Sequence, residues 1–273
     1  MARLTTSPIF EDLRLVDADR LRRLVRMGAY EGHTGGLAHG KLQANVVIVP
    51  RSFASDFHQF CIRNPKPCPL VGVNRSGSPL IPALGDIDIR TDAPQYNIYH
   101  FGELTRRRTD IIDLWQDDFA AFALGSSLTV EAALAEKKLS RIGCGKASPK
   151  FRTRIKTCRV GPFGGEMVVS MRPISRCDVD RVRAVTARFP HAHGSPIHVG
   201  DPTVIGIADL MAPDWGDAVK IMDGEVAVFW ASSITAQDAL ARAELVTSIT
   251  VSPGHMLITD VDARADAGAF KVY

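Results

Sequence analysis

Met167-Val-Val-Ser-Met171, followed by Asp178-Val-Asp-Arg-Val-Arg-Ala-Val-Thr-Ala-Arg188, is the stretch from which the fold class is read. The first run is short and apolar, the pattern of a buried strand. The second spaces Val179, Val182 and Val185 along one helical face. The same alternation continues outward in both directions. Upstream, Asp17 can cap a helix carrying Leu21, Leu24 and Val25, with Gly28 at its C-terminal end. Val46–Val49 reads as a strand closed by Pro50. Ser52 can cap a helix with Phe53, Phe57 and Phe60, which the prolines at 65, 67 and 69 must stop. Residues 87–89 and 95–99 read as extended. Asp117–Leu124 and Thr129–Lys138 read as helices broken at Gly125-Ser126-Ser127. Downstream, 204–207, 226–230 and 256–259 read as strands, and Thr235 begins a helix. Strands separated by helices predict α/β layers. No internal repeat, low-complexity tract or long linker stands out. Residues 1–273 read as one unit, with subdomain edges placed at 139–150 or 190–203.

The 273 residues are 45% hydrophobic and 23% charged, which excludes wholesale disorder, collagen-like sequence and a coiled coil. No apolar run approaches the roughly 20 residues of a membrane helix. The N-terminal residues show no apolar core of a secretory signal. Five cysteines without a Cys-x-x-Cys pair disfavour a disulfide scaffold or zinc ribbon, so reduced thiols in a cytoplasmic protein are expected.

Charge is unevenly placed. Between Arg141 and Arg176 nine Lys/Arg face the single acid Glu166, whereas the rest of the chain is net acidic. Such a segment suits an anionic partner. Nucleic acid would call for interleaved aromatics, and only Phe151 and Phe163 are near. A small carboxylate is therefore the expected partner, with neither nucleic acid nor membrane; homo-oligomer formation is left open. Arg172 follows one apolar run and Arg90 another, and either can present a bidentate fork to a carboxylate.

Two near-motifs carry less. Gly35-Gly-Leu-Ala-His-Gly40-Lys41-Leu42 approaches a phosphate loop, but Leu42 replaces the hydroxyl and a helix, not a strand, precedes it. No cofactor is expected. His191, His193, His198 and Asp201 crowd one loop with metal-ligand chemistry; the competing reading is loop histidines that fix turns. Asp201 and Asp209 flank the apolar run 204–207, which favours them as catalytic residues over Asp223.

Longer blocks are more specific. Thr34-Gly-Gly-Leu-Ala-His-Gly40 with Gln43-Ala-Asn45, Phe60-Cys-Ile-Arg-Asn-Pro-Lys-Pro-Cys-Pro-Leu70, Asp88-Ile-Arg-Thr-Asp-Ala-Pro-Gln-Tyr96, Val168-Val-Ser-Met-Arg-Pro173, His193-Gly-Ser-Pro-Ile-His-Val-Gly-Asp-Pro202, Gly206-Ile-Ala-Asp209, Gly224-Glu-Val-Ala-Val-Phe-Trp-Ala231 and Pro253-Gly-His-Met-Leu-Ile-Thr-Asp260 occur in this order. Together they resemble the D-glutamate cyclase family of hydro-lyases, from about Gly28 to Asp260. The resemblance implies a three-layer α/β/α portion with a smaller two-layer α+β portion. It also implies a carbon–oxygen lyase, with water loss from D-glutamate to 5-oxo-D-proline as the family activity. The chain departs from the family pattern in three turns. Ser126 stands where the family has Cys, and Leu128 and Val130 replace aromatics. Ser232-Ser233 replaces Cys-Gly, and Val251-Ser252 replaces His-Ala. These changes predict an altered pocket and a preferred substrate other than D-glutamate.

Water loss from a small amino or hydroxy acid needs a base, an acid, donors to the developing oxyanion and a clamp for the carboxylate. The expected acid–base groups are His198, Asp201 and Glu131. Arg172 and Arg90 are the expected clamp, and Asn45, Asn64 and Ser127 the expected donors. Two alternatives remain: a metal-dependent enzyme using the His191/His193/His198/Asp201 cluster, and a non-catalytic relative that binds small acids.

Overall fold

The segment Leu42–Val49 combines β-branched residues with burial along its whole length, the character of a central strand. In the computed structural model, which describes residues 12–75, 77–139 and 148–265, it lies within β1. The elements in chain order are α1 (Ala18–Arg26), β1 (Lys41–Pro50), α2 (Ala54–Arg63), β2 (Leu70–Val73), β3 (Tyr96–His100), β4 (Glu103–Arg108), β5 (Phe119–Gly125) and α3 (Leu128–Glu136). They continue as β6 (Lys150–Lys156), β7 (Glu166–Ser175), α4 (Val179–Ala187), β8 (His198–Val199), β9 (Glu225–Ala231), α5 (Ile234–Ala243), β10 (Ser248–Val251) and β11 (Leu257–Asp262).

Two sheets result. The seven-stranded sheet runs β2-β5-β1-β10-β3-β4. Strand β11 pairs with the start of β1, beside the segment that β10 takes. The four-stranded sheet runs β6-β7-β9-β8. Helix and sheet layers in two parts bear out the α/β expectation, and the ladders of both sheets are antiparallel. The large sheet buries Val47, Val49 and Phe122 against Phe57 and Phe60 of α2 and Ala236 and Leu240 of α5. Its other face packs Val46 and Ile48 against Ile81, Leu84 and Ile111 from turns. The small sheet sets Ile174, Val228 and Trp230 against Val130 and Leu134 of α3 and Val182 of α4.

The chain carries an internal repeat that its sequence hides. Strand β1, a 3-10 turn (Arg51–Phe53) and α2 recur as β7, a 3-10 turn (Arg176–Asp178) and α4. Strand β5 pairs with β1 from Ala44↔Gly125 to Pro50↔Phe119. Strand β9 pairs with β7 in the same register, from Val169↔Ala231 to Ser175↔Glu225. Each of β5 and β9 then leads through two serines into a helix. Ser126 N donates to Gln43 O, and Ser232 N to Val168 O, both at 3.0 Å. Thr129 Oγ1 accepts from Gln43 N at 3.1 Å, and Thr235 Oγ1 from Val168 N at 3.0 Å. The helices are exchanged: α3 leaves the large sheet to pack on the small one, and α5 does the reverse.

Three elements differ from the sequence reading. Residues 117–124 do not form a helix, because Phe119–Gly125 is the fully buried strand β5. A continuous apolar run has no periodicity to separate the two states, and burial between β1 and β2 decides it. Residues 204–207 fall in and after a 3-10 turn (Pro202–Ile205) closed by Gly206 at φ 87°. Residues 87–89 contribute only an isolated bridge, Leu80↔Asp88. The first helix, by contrast, starts at its expected cap: Asp17 Oδ1 accepts from Arg20 N at 2.8 Å. The N-terminal residues, Cys144 and the start of the basic segment at Arg141 lie outside the described residues, as does most of the 139–150 edge. Among the described residues no helix is long and apolar enough to cross a membrane.

The exchange of helices is locked at Gly125. A Cβ there would sit 1.6 Å from the backbone carbonyl oxygen of His191 in the other half of the repeat. Backbone cannot rotate away as a side chain can. Gly125→Ala is expected to cost about 3 kcal/mol or more, at or beyond the upper range of overpacking effects. Urea unfolding measures it, and a loss below about 1 kcal/mol would show that the two halves are not held this closely.

Candidate functional site

The two serine turns face each other across a cavity of ≈ 200 Å³. Ser126, Ser127, Ser232 and Ser233 all line it. Ser127 and Ser233 occupy the N-cap positions of α3 and α5, where serine ordinarily bonds its own helix. Neither does so here. Their hydroxyls are thus available to the cavity, beside two helix N-termini suited to anionic oxygens. A larger hollow of ≈ 490 Å³ at the β3–β4 edge is lined mainly by residues such as Ile98, Leu114 and Ile249 and has no acidic side chain.

One side of the cavity is charged. The small sheet pairs Lys150 of β6 with Ser170 of β7, so Lys150 shares a face with Arg172. Helix α3 brings Glu131 onto that face. Arg172 Nη2 donates to Glu131 Oε1 at 2.6 Å, and the two side chains are only 4% and 5% exposed. Among the described residues Glu131 Oε2 has no hydrogen-bond partner. Lys150 Nζ donates to Ser148 O at 3.1 Å. Burial raises the Glu131 carboxyl above its ordinary value, although Arg172 and Lys150 oppose the shift. Burial and the Arg172 charge lower the Lys150 ammonium to about 8, against the pull of Glu131.

The opposite side is neutral. Asn45 of β1 donates through Nδ2 to Ser233 Oγ at 2.7 Å. Gln237 of α5, which stands in the repeat where Glu131 stands, donates to Asn45 Oδ1 and to Val251 O. His33 and Trp215 complete the wall. Burial lowers the His33 pKa to about 4, so its ring is neutral near pH 7.

The structure thus brings Asn45, Ser127 and Glu131 to one cavity, with Arg172 behind Glu131. It does not bring the other expected residues there. Asn64 ends α2: its Nδ2 donates to Phe60 O and Cys158 O, and its Oδ1 accepts from Cys158 N. Arg90 is held by Asp88 at 2.7 Å. His198 packs beside Phe229, which belongs to the apolar cluster on the face of the small sheet away from Arg172. Its Nε2 is 2.7 Å from Asp201 O. The Asp201 carboxylate accepts from Thr203 N and Oγ1, which holds its pKa below the ordinary value at the surface. The histidine cluster does not converge either. His193 is buried with Nδ1 2.8 Å from Lys66 O, and desolvation lowers its pKa to about 4. No group of three His, Cys, Asp or Glu among the described residues is placed to hold a metal ion. Loop histidines fixing turns describe His193 and His198 best. Cys61, Cys68, Cys158 and Cys177 are all free thiols.

Lys150, Ser232 and Ser233 were not among the candidates from sequence. The signal for the two serines is the recurrence of Ser-Ser-Leu-Thr at 126–129 as Ser-Ser-Ile-Thr at 232–235, each after an apolar strand; Lys150 belongs to the basic segment and has no signal of its own there. Of the altered family positions, Ser126, Leu128, Ser232 and Ser233 line the cavity. Val130 lies in the core of the small sheet, and Val251 in that of the large one.

A buried carboxyl, Glu131, and a buried amine, Lys150, thus lie at one cavity beside two helix N-termini. The sequence profile of the D-glutamate cyclase family matches residues 120–260. A protein of Jannaschia sp. (strain CCS1) named "Putative hydro-lyase" is 52% identical over 93% of this chain and 97% of its own length. Proteins with the same designation from Dinoroseobacter shibae and Methylobacterium radiotolerans are 49% and 46% identical, over 94% and 93% of this chain and 87% and 93% of theirs. The chain belongs to the D-glutamate cyclase family.

Proposed function

We propose that the protein is a carbon–oxygen lyase that removes water from, or cyclises, a small amino or hydroxy acid in the cavity between the serine turns. The observation that carries this reading is the placement of the buried Glu131, paired with Arg172 at 2.6 Å, and of Lys150 in one cavity, where burial pushes the carboxyl up and the ammonium down. A carboxylate with a raised pKa is a stronger base than a free one, and an ammonium near 8 is a competent acid at neutral pH. Cyclising a glutamate-like acid moves two protons from the amine to the departing oxygen while an N–C bond forms and a C–O bond breaks. One group must accept at nitrogen and another must donate at oxygen. Glu131 accepts, Lys150 donates, and both are reset by exchange with solvent. A hydroxy acid needs the same pair, with the base at a carbon-bound proton. The second carboxylate is held by the serine hydroxyls, beside the positive ends of the two helices. Arg172, whose guanidinium is engaged by Glu131, positions the base in this scheme.

The altered turns line the cavity, which supports a preferred substrate other than D-glutamate. Incubation with D-glutamate, followed by mass spectrometry for 5-oxoproline, tests this, with a panel of amino and hydroxy acids alongside. Turnover of D-glutamate on the order of 1 per second or faster would make it the substrate after all. On the best substrate, kcat/KM is expected to be bell-shaped in pH. Its alkaline limb should fall near 8, as Lys150 loses its proton, and its acid limb above the ordinary carboxylate range, as Glu131 gains one. A flat profile from about pH 5 to about pH 9 would remove both residues from the chemistry.

A further inference from the structure

The neutral side of the cavity contains a chain of hydrogen bonds whose direction is fixed from one end. Val251 O is a carbonyl and can only accept, so the Gln237 atom 3.2 Å from it is the amide nitrogen. The same nitrogen lies 3.3 Å from Asn45, which must therefore present Oδ1 to it. That leaves Asn45 Nδ2 facing Ser233 Oγ at 2.7 Å, donating to it. The serine oxygen is then an acceptor in this bond, and its single proton must point elsewhere. Among the described residues the hydroxyl donates to no protein acceptor, and its oxygen accepts from Asn45 rather than from its own helix. Ser233 lines the cavity.

We infer that the Ser233 hydroxyl is a fixed hydrogen-bond donor to an anionic oxygen of the bound acid, and that Asn45 and Gln237 are positioning residues that set its direction. The repeat makes the division of labour plain. Gln237 stands where Glu131 stands in the other half, so one half handles protons and the other presents an oriented donor. A donor already turned toward the oxygen needs no reorganisation when charge arrives there.

The inference rests on the lyase reading only for the anionic nature of the ligand, so its test is binding rather than turnover. Glutarate is the probe, and calorimetric titration the measurement. Ser233→Ala removes the donor and is expected to weaken glutarate affinity about 10- to 100-fold, as for a hydrogen bond to a charged group. Asn45→Asp replaces the amide donor by an acceptor of the same size, which draws the serine proton back toward residue 45. In that background Ser233→Ala is expected to cost nothing further. A mere repulsion between the new carboxylate and glutarate would leave the full Ser233→Ala loss in place and would overturn the positioning role. Unchanged affinity in Ser233→Ala, or no glutarate binding by the unaltered protein, would overturn the donor. Thermal melts check folding, and Ser233→Ala, which buries no charge, decides alone if Asn45→Asp does not fold. Ser233-dependent binding with no acid turned over would sink the lyase reading and leave this inference standing.

Discussion

Arg172→Met is expected to lower unfolding stability by about 3–5 kcal/mol near pH 7, the usual cost of removing one partner from a buried ion pair. The guanidinium is buried behind Glu131, and the other cation that acts on this carboxyl, Lys150, does so more weakly than Arg172. Methionine fills comparable volume, so the loss is electrostatic rather than a cavity effect. The pH dependence identifies its origin. The native Glu131 pKa already lies above its unfolded value, and removing Arg172, which opposes that shift, must raise it further. A carboxyl with a raised native pKa binds more protons folded than unfolded. Stability from it is present below the unfolded value and is lost as pH rises through the native one. The deficit of Arg172→Met should therefore shrink as pH falls toward the ordinary carboxylate range. Adding Glu131→Leu should recover most of the deficit at pH 7, because an apolar pair tolerates this burial. Urea denaturation of both variants across pH measures this. A pH-independent deficit that the double variant does not recover would mean that Arg172 supports packing rather than the Glu131 charge.

The same pair shows what was legible beforehand and what was not. Arg172 and Glu131 were both chosen from sequence, but as parts of separate devices, a clamp and an acid–base group. Only the exchange of α3 onto the small sheet joins them, and no local pattern encodes which sheet a helix will cover. His198 and Asp201 drew attention because ligand types crowd there, yet β8 is an edge strand and their polar atoms are used in the turn itself. Asn64 was likewise consumed by ending α2. Spacing reports residue type and local geometry, whereas a site is built from long-range packing. The strand β5 was missed for a related reason. Its alternating small and large residues, Ala121, Phe122, Ala123 and Leu124, satisfy both faces of a central strand and also satisfy a buried helix. The two serine turns were visible as words, but their equivalence emerges only from the shared register of β1 with β5 and β7 with β9. What sequence did convey reliably was the strand–helix alternation and the family blocks, because both extend over many residues.

Glu131→Gln is expected to lower kcat by about 10²–10⁴-fold on whichever small acid the panel identifies, the range over which a positioned acid–base group contributes. The substitution keeps the volume, and its amide oxygen can still accept from Arg172 Nη2. It removes the carboxylate charge and the capacity to exchange a proton at Oε2, which has no hydrogen-bond partner among the described residues. Binding of the anionic substrate should be little affected, so the loss should fall on kcat rather than KM. The acid limb of the kcat/KM profile should vanish with it. The alkaline limb should remain, shifted to lower pH, because Glu131 raises the Lys150 pKa and its charge is gone. A structural explanation makes a different forecast. If Glu131 served only to neutralise Arg172, the profile of the surviving activity would keep both limbs. Leaving the Arg172 charge without its partner lowers stability on either account, so the pH profile and the split between kcat and KM, measured where the variant is folded, separate the two.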